Sequence, residues 1–369
     1  MATASNDNPT NPQKNGLMQY VRCALFLLAC VGCLAVCEYA LAPSGYIRYI
    51  LHQLNGTDEN YDTIILGASH ARSAIDPSKL DEALGTNTLN VAIPSETVKD
   101  SYYILKSACR SNDIKTVILD VDYQYWFAVQ KEYGSTATFI YNKLSWTDKT
   151  KYEYLLDNHS NIDYRDLFTN RISYTHNLGE ISKNLKLKAS DEYKNYSIEG
   201  AIIRDADGPY VGKGFFSRKT SGEKPGGQKY VDLWVGRENG YFEPWVVNYF
   251  SQINNYCKAN GIELICITSP ITPSSVEKLG MGKVDGMFNE LFKKYDVAYY
   301  NFNKAKLDVI DRSDYDYGDM EGHMGGELAE EYSTVLGSLL KDRQNGTLNV
   351  SDYLYDTFQE LYDKMPKKD

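Results

Sequence analysis

The chain has 369 residues, 43% apolar and 24% charged, a globular balance that excludes wholesale disorder and leaves room for one large domain or two ordinary ones. A net charge of −10 with no basic stripe excludes nucleic acid as a partner, because phosphate-backbone binding needs clustered Lys and Arg. The seven cysteines are spaced for neither a zinc site nor a disulfide framework, so no metal and no cofactor is expected.

Taken in chain order, Cys23 to Ala42 carries a single charge, Glu38, and about twenty helical residues at ~1.5 Å each span a hydrocarbon core of ~30 Å. A membrane-spanning signal anchor is expected over 23–42. Arg22 and Lys14 ahead of it favour a cytoplasmic segment 1–22, with everything after Ala42 extracytoplasmic. A cleavable signal peptide is the alternative, since Ala40-Leu41-Ala42 resembles a small-residue processing site, although Pro43 directly follows.

Next, Asp62 to Leu66 is a short β-branched run ending in Gly67-Ala68-Ser69-His70, and Ile75-Asp76-Pro77 opens a helical stretch through Leu84. A second run, Leu89 to Ile93, ends in Pro94-Ser95 and leads into a helix through Tyr102, Leu105 and Cys109. Thr116 to Val121 is the third strand. Regularity breaks over 128–241, which is rich in Tyr, Asn, Lys and Gly and includes the turn-prone Gly222 to Lys229. Helical spacing returns from Phe242 to Cys257, followed by a strand from Glu263 to Thr268, a helix near Val284 to Tyr295, a strand from Val297 to Tyr300 and a last core helix after His323.

Strands alternating with helices imply crossover units and a parallel sheet, with ligands bound beyond the strand C-termini. Ser69, Ser95 and the stretch from Asp120 to Tyr125 then share one edge. The expected layout is an α/β core from 43–127 and 242–341, an insertion over the active edge at 128–241, and a C-terminal amphipathic helix in 342–369. The apolar stripe of that helix, Leu354, Phe358, Leu361 and Met365, packs back on the domain or, alternatively, docks a membrane partner.

A serine at the tip of a strand-to-helix turn gains an exposed Oγ and nearby backbone N–H groups for an oxyanion, and Gly67 and Ala68 keep the approach uncrowded. Far along the chain, Asp319-Met320-Glu321-Gly322-His323 sits in a loop just before the last helix, where a histidine with neighbouring carboxylates reaches the same edge. Acyl transfer at neutral pH needs those parts: hydroxyl nucleophile, imidazole base and an acid that holds the tautomer.

Four segments resemble the SGNH (GDSL-like) hydrolases, in particular the extracytoplasmic bacterial branch that includes proteins similar to the D-alanyl transfer protein of teichoic acids. They are LGASHARSAIDP at 66–77, LNVAIPS at 89–95, VILDVDYQYW at 117–126, and YYNFN with YGDMEGHMGGELAEEYS at 299–303 and 317–333. The resemblance implies a flavodoxin-like three-layer α/β/α fold, with Ser69 as nucleophile, His323 as general base and an Asp just upstream as orienting acid. The family's usual place for that acid holds Met320, leaving Asp319 with Glu321 in reserve. The blocks that carry the family's oxyanion-hole Gly and Asn are replaced by Ala92-Ile93-Pro94-Ser95 and by Asp120, Asp122 and Tyr123. Gly67, His70, Arg72, Ser95, Asp120, Asp122 and Tyr123 are therefore the expected oxyanion and substrate contacts.

His70 and Arg72 bind an anionic substrate group or turn to solvent; Tyr123, Tyr125 and Trp126 form a sugar platform or pack in the core. His159 and His176 have no ligand-like spacing. The expected function is a membrane-anchored extracytoplasmic serine O-acyl esterase or acyltransferase acting on a cell-envelope glycan through an acyl-Ser69 intermediate. Transfer would imply a membrane-bound O-acyltransferase partner. The alternative is a catalytically degenerate glycan-binding or scaffold protein that keeps the fold.

Overall fold

A computed structural model describes residues 12–41, 45–127, 134–162, 178–203, 207–220, 241–279, 281–319 and 321–365. His176, the stretch 222–229, Ala42, Pro43 and Met320 lie outside the described residues.

Five short strands build the central sheet: β1 (Thr63–Leu66), β2 (Thr88–Asn90), β3 (Thr116–Asp120), β6 (Glu263–Thr268) and β7 (Ala298–Asn301). Between β3 and β6 in the chain, β4 (Tyr210–Gly212) and β5 (Phe215–Phe216) form a separate small antiparallel ribbon. The main sheet runs in the order β2-β1-β3-β6-β7 with every pairing parallel. The expected strand at Leu89 to Ile93 is shorter as a named element, yet Val91 and Ile93 go on donating to the Ile65 and Gly67 carbonyls.

Period-two alternation divides the sheet between two cores. Ile64, Leu66, Val117, Leu119, Leu264 and Cys266 face one side, where they meet helices Tyr46–Asn55, Val98–Ser111, Pro244–Ala259 and Gly282–Tyr295. Ile65, Ile118, Ile265 and Ile267 face the other, against helices Ser69–Ala74, Pro77–Leu84 and Gly326–Asn345. This is the parallel sheet that the alternating pattern predicts, in the three-layer α/β/α arrangement that the resemblance implies. The chain leaves β1 toward β2 on one flank and returns to β3 on the other. Ligands bind in open α/β sheets at such a reversal of strand order, beyond the strand C-termini.

Helix Pro12–Leu41 stands apart from these layers. From Gly16 to Leu41 it offers 26 residues whose most apolar 18-residue window has a mean hydropathy of 2.2 and is nowhere buried, long and apolar enough to cross a membrane. Its last turn is covered by helix Ile181–Ala189. Asn184 Nδ2 donates to the Ala40 and Leu41 carbonyls at 3.3 and 3.4 Å, and Lys188 Nζ donates to the Tyr39 carbonyl, satisfying acceptors that a helix end leaves open.

The region 128–241 does two different jobs. Helices Gly134–Lys143 and Lys149–Asp157 pack on the flank of the domain, where buried Lys151 donates to the Tyr141 and Leu144 carbonyls and Tyr154 O–H donates to Asp100. Among the described residues of this region, the stretch 207–220 brings Asp207 and Arg218 to the C-terminal edge of the sheet. At the end of the chain, Phe358 and Leu361 of helix Phe358–Lys364 are buried in the larger core, and Tyr362 O–H donates to the Val276 carbonyl. Cys109, Cys257 and Cys266 are free thiols, with Cys257 and Cys266 buried.

Candidate active site

Gly67, directly after β1, turns with φ of +150°, and a Cβ there would stand 2.9 Å from the Ala71 Cβ and 3.1 Å from the Asp120 Cβ. Glycine is required by both conformation and space. The turn places Ser69 first in helix Ser69–Ala74. That short helix is pinned from behind by Ser333, whose hydroxyl donates to the Ala74 carbonyl and accepts from the Asp76 N–H at 2.8 Å.

The loop 317–325 brings the other partners. It is pinched by the Tyr317–Met324 bridge and by the Gly318 N–H donating to the His323 carbonyl at 2.8 Å. Gly322 holds φ of +85°, with its open side facing Ile271. Asp319 Oδ1 folds the loop onto itself by accepting the Glu321 and His323 N–H groups at 3.0 and 3.2 Å.

The result joins residues 254 positions apart: the Ser69 hydroxyl lies 2.8 Å from His323 Nε2, and His323 Nδ1 lies 2.8 Å from Asp319 Oδ2. With Nδ1–H donated to Asp319, Nε2 is left as the acceptor for the serine proton. Glu321 is the weaker partner, 3.9 Å from Nδ1 and with its side chain largely in solvent. Burial lowers the His323 pKa, the neighbouring charges of His70 and Arg218 lower it further, and Asp319 pulls the other way without reversing the shift. The ring is thus kept neutral, the form a general base needs. Burial would raise Asp319, but the His323 hydrogen bond and charge and the Arg218 guanidinium hold its carboxyl well below the usual carboxylate range.

His70 is buried instead of turned to solvent. Its Nδ1 lies 2.7 Å from Asp122 Oδ2 and its Nε2 2.9 Å from the Glu321 carbonyl oxygen, so both ring nitrogens face acceptors. Two acceptors call for two N–H donors, which is the imidazolium. Burial alone would lower its pKa; the Asp122 charge and hydrogen bond, with the Glu321 carbonyl, take it up to about 9. The His70 and His323 rings are stacked at 4.5 Å.

Arg72 is also buried, with its guanidinium 2.6 Å from Asp207 Oδ1. Arg218 reaches the same carboxylate at 3.8 Å and Asp319 Oδ2 at 2.5 Å. A clamp from the inserted region therefore ties the nucleophile's helix to the acid's loop. Arg218 and Asp207 had no signal in the sequence beyond their residue types.

The remaining expected contacts are placed as follows. Asp120 accepts from the Ser269 N–H at 3.1 Å and hydroxyl at 2.6 Å, and burial pushes its pKa up to about 6. Tyr123 packs against Phe288, and its hydroxyl accepts from Asn303 Nδ2 at 3.1 Å; Trp126 is buried among Phe242, Phe250, Phe288 and Phe292. Both are core aromatics instead of a sugar platform. Ser95 adopts φ of 63°, a left-handed position, in a turn closed by the Glu96 N–H donating to the Ile93 carbonyl. Behind it, Glu96 accepts from the Ile93 N–H and the Ser101 hydroxyl, and burial pushes its carboxyl well above the usual range. A cleft of about 360 Å³ opens beside Arg218, lined also by Lys219, Thr220 and Glu327.

No protein-family model matches the sequence, and no curated protein matches it. Among solved structures, the chain is similar to a protein of Bacteroides fragilis described as a "putative acylhydrolase", at a TM-score of 0.37 and 9% identity over 83% of this chain and 98% of that one. A likeness at that level carries no chemistry across, and the functional reading rests on the geometry of Ser69, His323 and Asp319.

Proposed function

We propose that the protein is a serine esterase or acyltransferase that works through a covalent acyl-Ser69 intermediate. The carrying observation is the unbroken relay from the Ser69 hydroxyl through His323 to Asp319, with hydrogen bonds of 2.8 Å at both ends of the imidazole. In the first step Ser69 Oγ attacks the ester carbonyl carbon while His323 Nε2 takes its proton. Collapse of the tetrahedral intermediate expels the alcohol, which leaves with the proton returned by His323. Water or a second hydroxyl then attacks the acyl-serine, giving up its proton to His323, which passes it to the departing Ser69 Oγ as an acid or a new ester is released.

Asp319 holds the tautomer and stabilises the imidazolium that forms in each step. The Ser69 backbone N–H, at the start of its helix, serves as a donor for the oxyanion, and the buried positive charge of His70 favours negative charge in the same neighbourhood.

Helix Gly16–Leu41 supports placing this chemistry at a membrane surface; Arg22 and Lys14 ahead of it favour the α/β domain lying outside the cytoplasm, and the SGNH resemblance suggests an O-acylated envelope glycan as substrate. Tethering confines the site near that surface and raises its effective concentration there. Transfer to a sugar hydroxyl would pair it with a membrane-bound O-acyltransferase that exports the acyl group.

One observation favours a second reading, a glycan-binding scaffold without turnover. The block that carries the SGNH pattern's oxyanion-hole Asn shows Asp120, Asp122 and Tyr123 instead, and Asp122 is bonded to His70. A fluorophosphonate probe separates the two. The esterase reading requires labelling at Ser69 that disappears in Ser69→Ala, whereas absence of labelling in folded wild-type protein rules it out in favour of the scaffold.

A further inference from the structure

A second cleft, of about 510 Å³, shares no lining residue with the Ser69 site. Its walls come from helix Tyr46–Asn55, the end of helix Val98–Ser111, the stretch 142–148 and the turn 193–196. A volume of this size holds a small ligand of headgroup dimensions.

Its charge runs against that of the whole molecule. Arg48, Arg110 and Lys143 line it, against a single acid among its lining residues, Asp148, which is already paired with Arg110. Among the described residues no carboxylate lies within ion-pair distance of Arg48. Instead its guanidinium sits 3.9 Å from the Tyr193 ring centroid and 3.7 Å from that of Tyr196, and His52 stacks on Tyr196 at 3.6 Å. Stacking occupies the faces of a guanidinium and leaves its edge N–H groups for a ligand. Tyr196 is held at φ of 53°, a costly position for a bulky residue.

Two buried polar atoms in the walls have no partner: Asn142 Nδ2, a donor, and Asn55 Oδ1, an acceptor whose own amide nitrogen already donates to Ser107. A buried polar atom without a partner is costly, so an occupant that both accepts and donates would relieve both. The cleft is tied to the point where the apolar helix ends. Helix Ile181–Ala189, which caps Leu41, leads directly into the turn bearing Tyr193 and Tyr196, and helix Tyr46–Asn55 follows Leu41 in the chain after a short link.

We propose that this cleft binds a phosphate ester bearing a hydroxylated group, presented as the headgroup of an anionic membrane lipid. Phosphate oxygens match the edge N–H groups of Arg48 and the charges of Arg110 and Lys143, and a rotation of the buried Asn142 and Asn55 amides toward the cleft gives them partners on the phosphate and on a headgroup hydroxyl.

The test uses the full chain in uncharged detergent, with native mass spectrometry against phosphatidylglycerol and phosphatidylcholine, and calorimetry against glycerol phosphate and inorganic phosphate. The expected result is retention of phosphatidylglycerol but not phosphatidylcholine, with affinity falling roughly tenfold in Arg48→Gln and in Lys143→Gln, as the loss of one charged hydrogen bond implies. Melting temperatures without ligand check the fold, and Lys143→Gln decides the matter if Arg48→Gln does not fold. Binding of glycerol phosphate with the same sensitivity but no lipid preference would overturn the lipid source and assign a soluble ester. If no phosphate compound binds, or both variants bind as wild type does, the site itself is overturned. None of these readouts uses catalysis, so the outcome is independent of the esterase reading.

Discussion

The imidazole of His70 lies face to face with that of His323, 24° from parallel, and only one of the two is built to carry charge. His70 has an acceptor on each nitrogen, whereas His323 has the Asp319 carboxylate on one side and a hydroxyl on the other. A cation stacked on the proposed base disfavours its protonation and keeps it available at lower pH.

Removing that cation therefore raises the pKa of His323. In the double variant His70→Gln/Asp122→Asn, which avoids stranding a buried carboxylate, the acid limb of the labelling rate against pH should move up by about one unit. The measurement is the fluorophosphonate labelling rate from pH 5 to 9. An unmoved limb would mean that the stack is structural only.

The two carboxylates of the loop differ sharply in consequence. Asp319→Asn removes the tautomer holder and should slow labelling and turnover of a p-nitrophenyl ester by on the order of 10³ to 10⁴. Glu321→Gln changes a largely exposed side chain 3.9 Å from the ring and should leave both within about twofold.

Stability should depend on pH through His70. Its folded pKa, about 9, lies above the ~6.5 of an unfolded histidine, so its contribution is fully present below pH 6.5 and is lost as pH rises through 9. The loss is at most on the order of 3 kcal/mol. Urea midpoints at pH 7 and 9.5 should fall in wild type and change much less in His70→Gln/Asp122→Asn. Asp319 acts at the other extreme. With its folded pKa depressed, its stabilisation is present above the unfolded value of ~3.9 and disappears as pH falls below it.

Gly322→Ala tests the loop geometry. The added Cβ stands 3.1 Å from the Ile271 Cβ in a left-handed backbone, a combination that should cost about 1–3 kcal/mol. Melting temperature should fall, and labelling of Ser69 should fall with it as His323 is displaced. Gly346→Ala, also left-handed but with open space around its Cβ, should lower stability without slowing labelling in the protein that remains folded.

The centre of the sheet was legible because its three strands Thr63–Leu66, Thr116–Asp120 and Glu263–Thr268 are β-branched runs beside a turn signal, a pattern visible in one dimension. Ser69 was legible because a small-residue turn between strand and helix exposes a side chain, and His323 because a carboxylate stands close to it in the same loop. Pairings across the fold had no such local mark. Asp122 meets His70 only because β1 and β3 are neighbours, a consequence of strand order. Arg218 meets Asp319 only because the stretch 207–220 turns back over the edge, with no periodicity to announce it. Position along the chain likewise could not separate the flank-packing helices of the inserted region from the ribbon that reaches the site.

The clamp of Arg72, Asp207, Arg218 and Asp319 has a consequence for biosynthesis. During translation the alcohol emerges 254 residues ahead of the imidazole, and the arginine that steadies the acid arrives between them. A nascent chain halted anywhere before the closing helix holds an inert serine. The proposed relay therefore assembles only after the loop 317–325 has been made, long after Ser69 has left the ribosome.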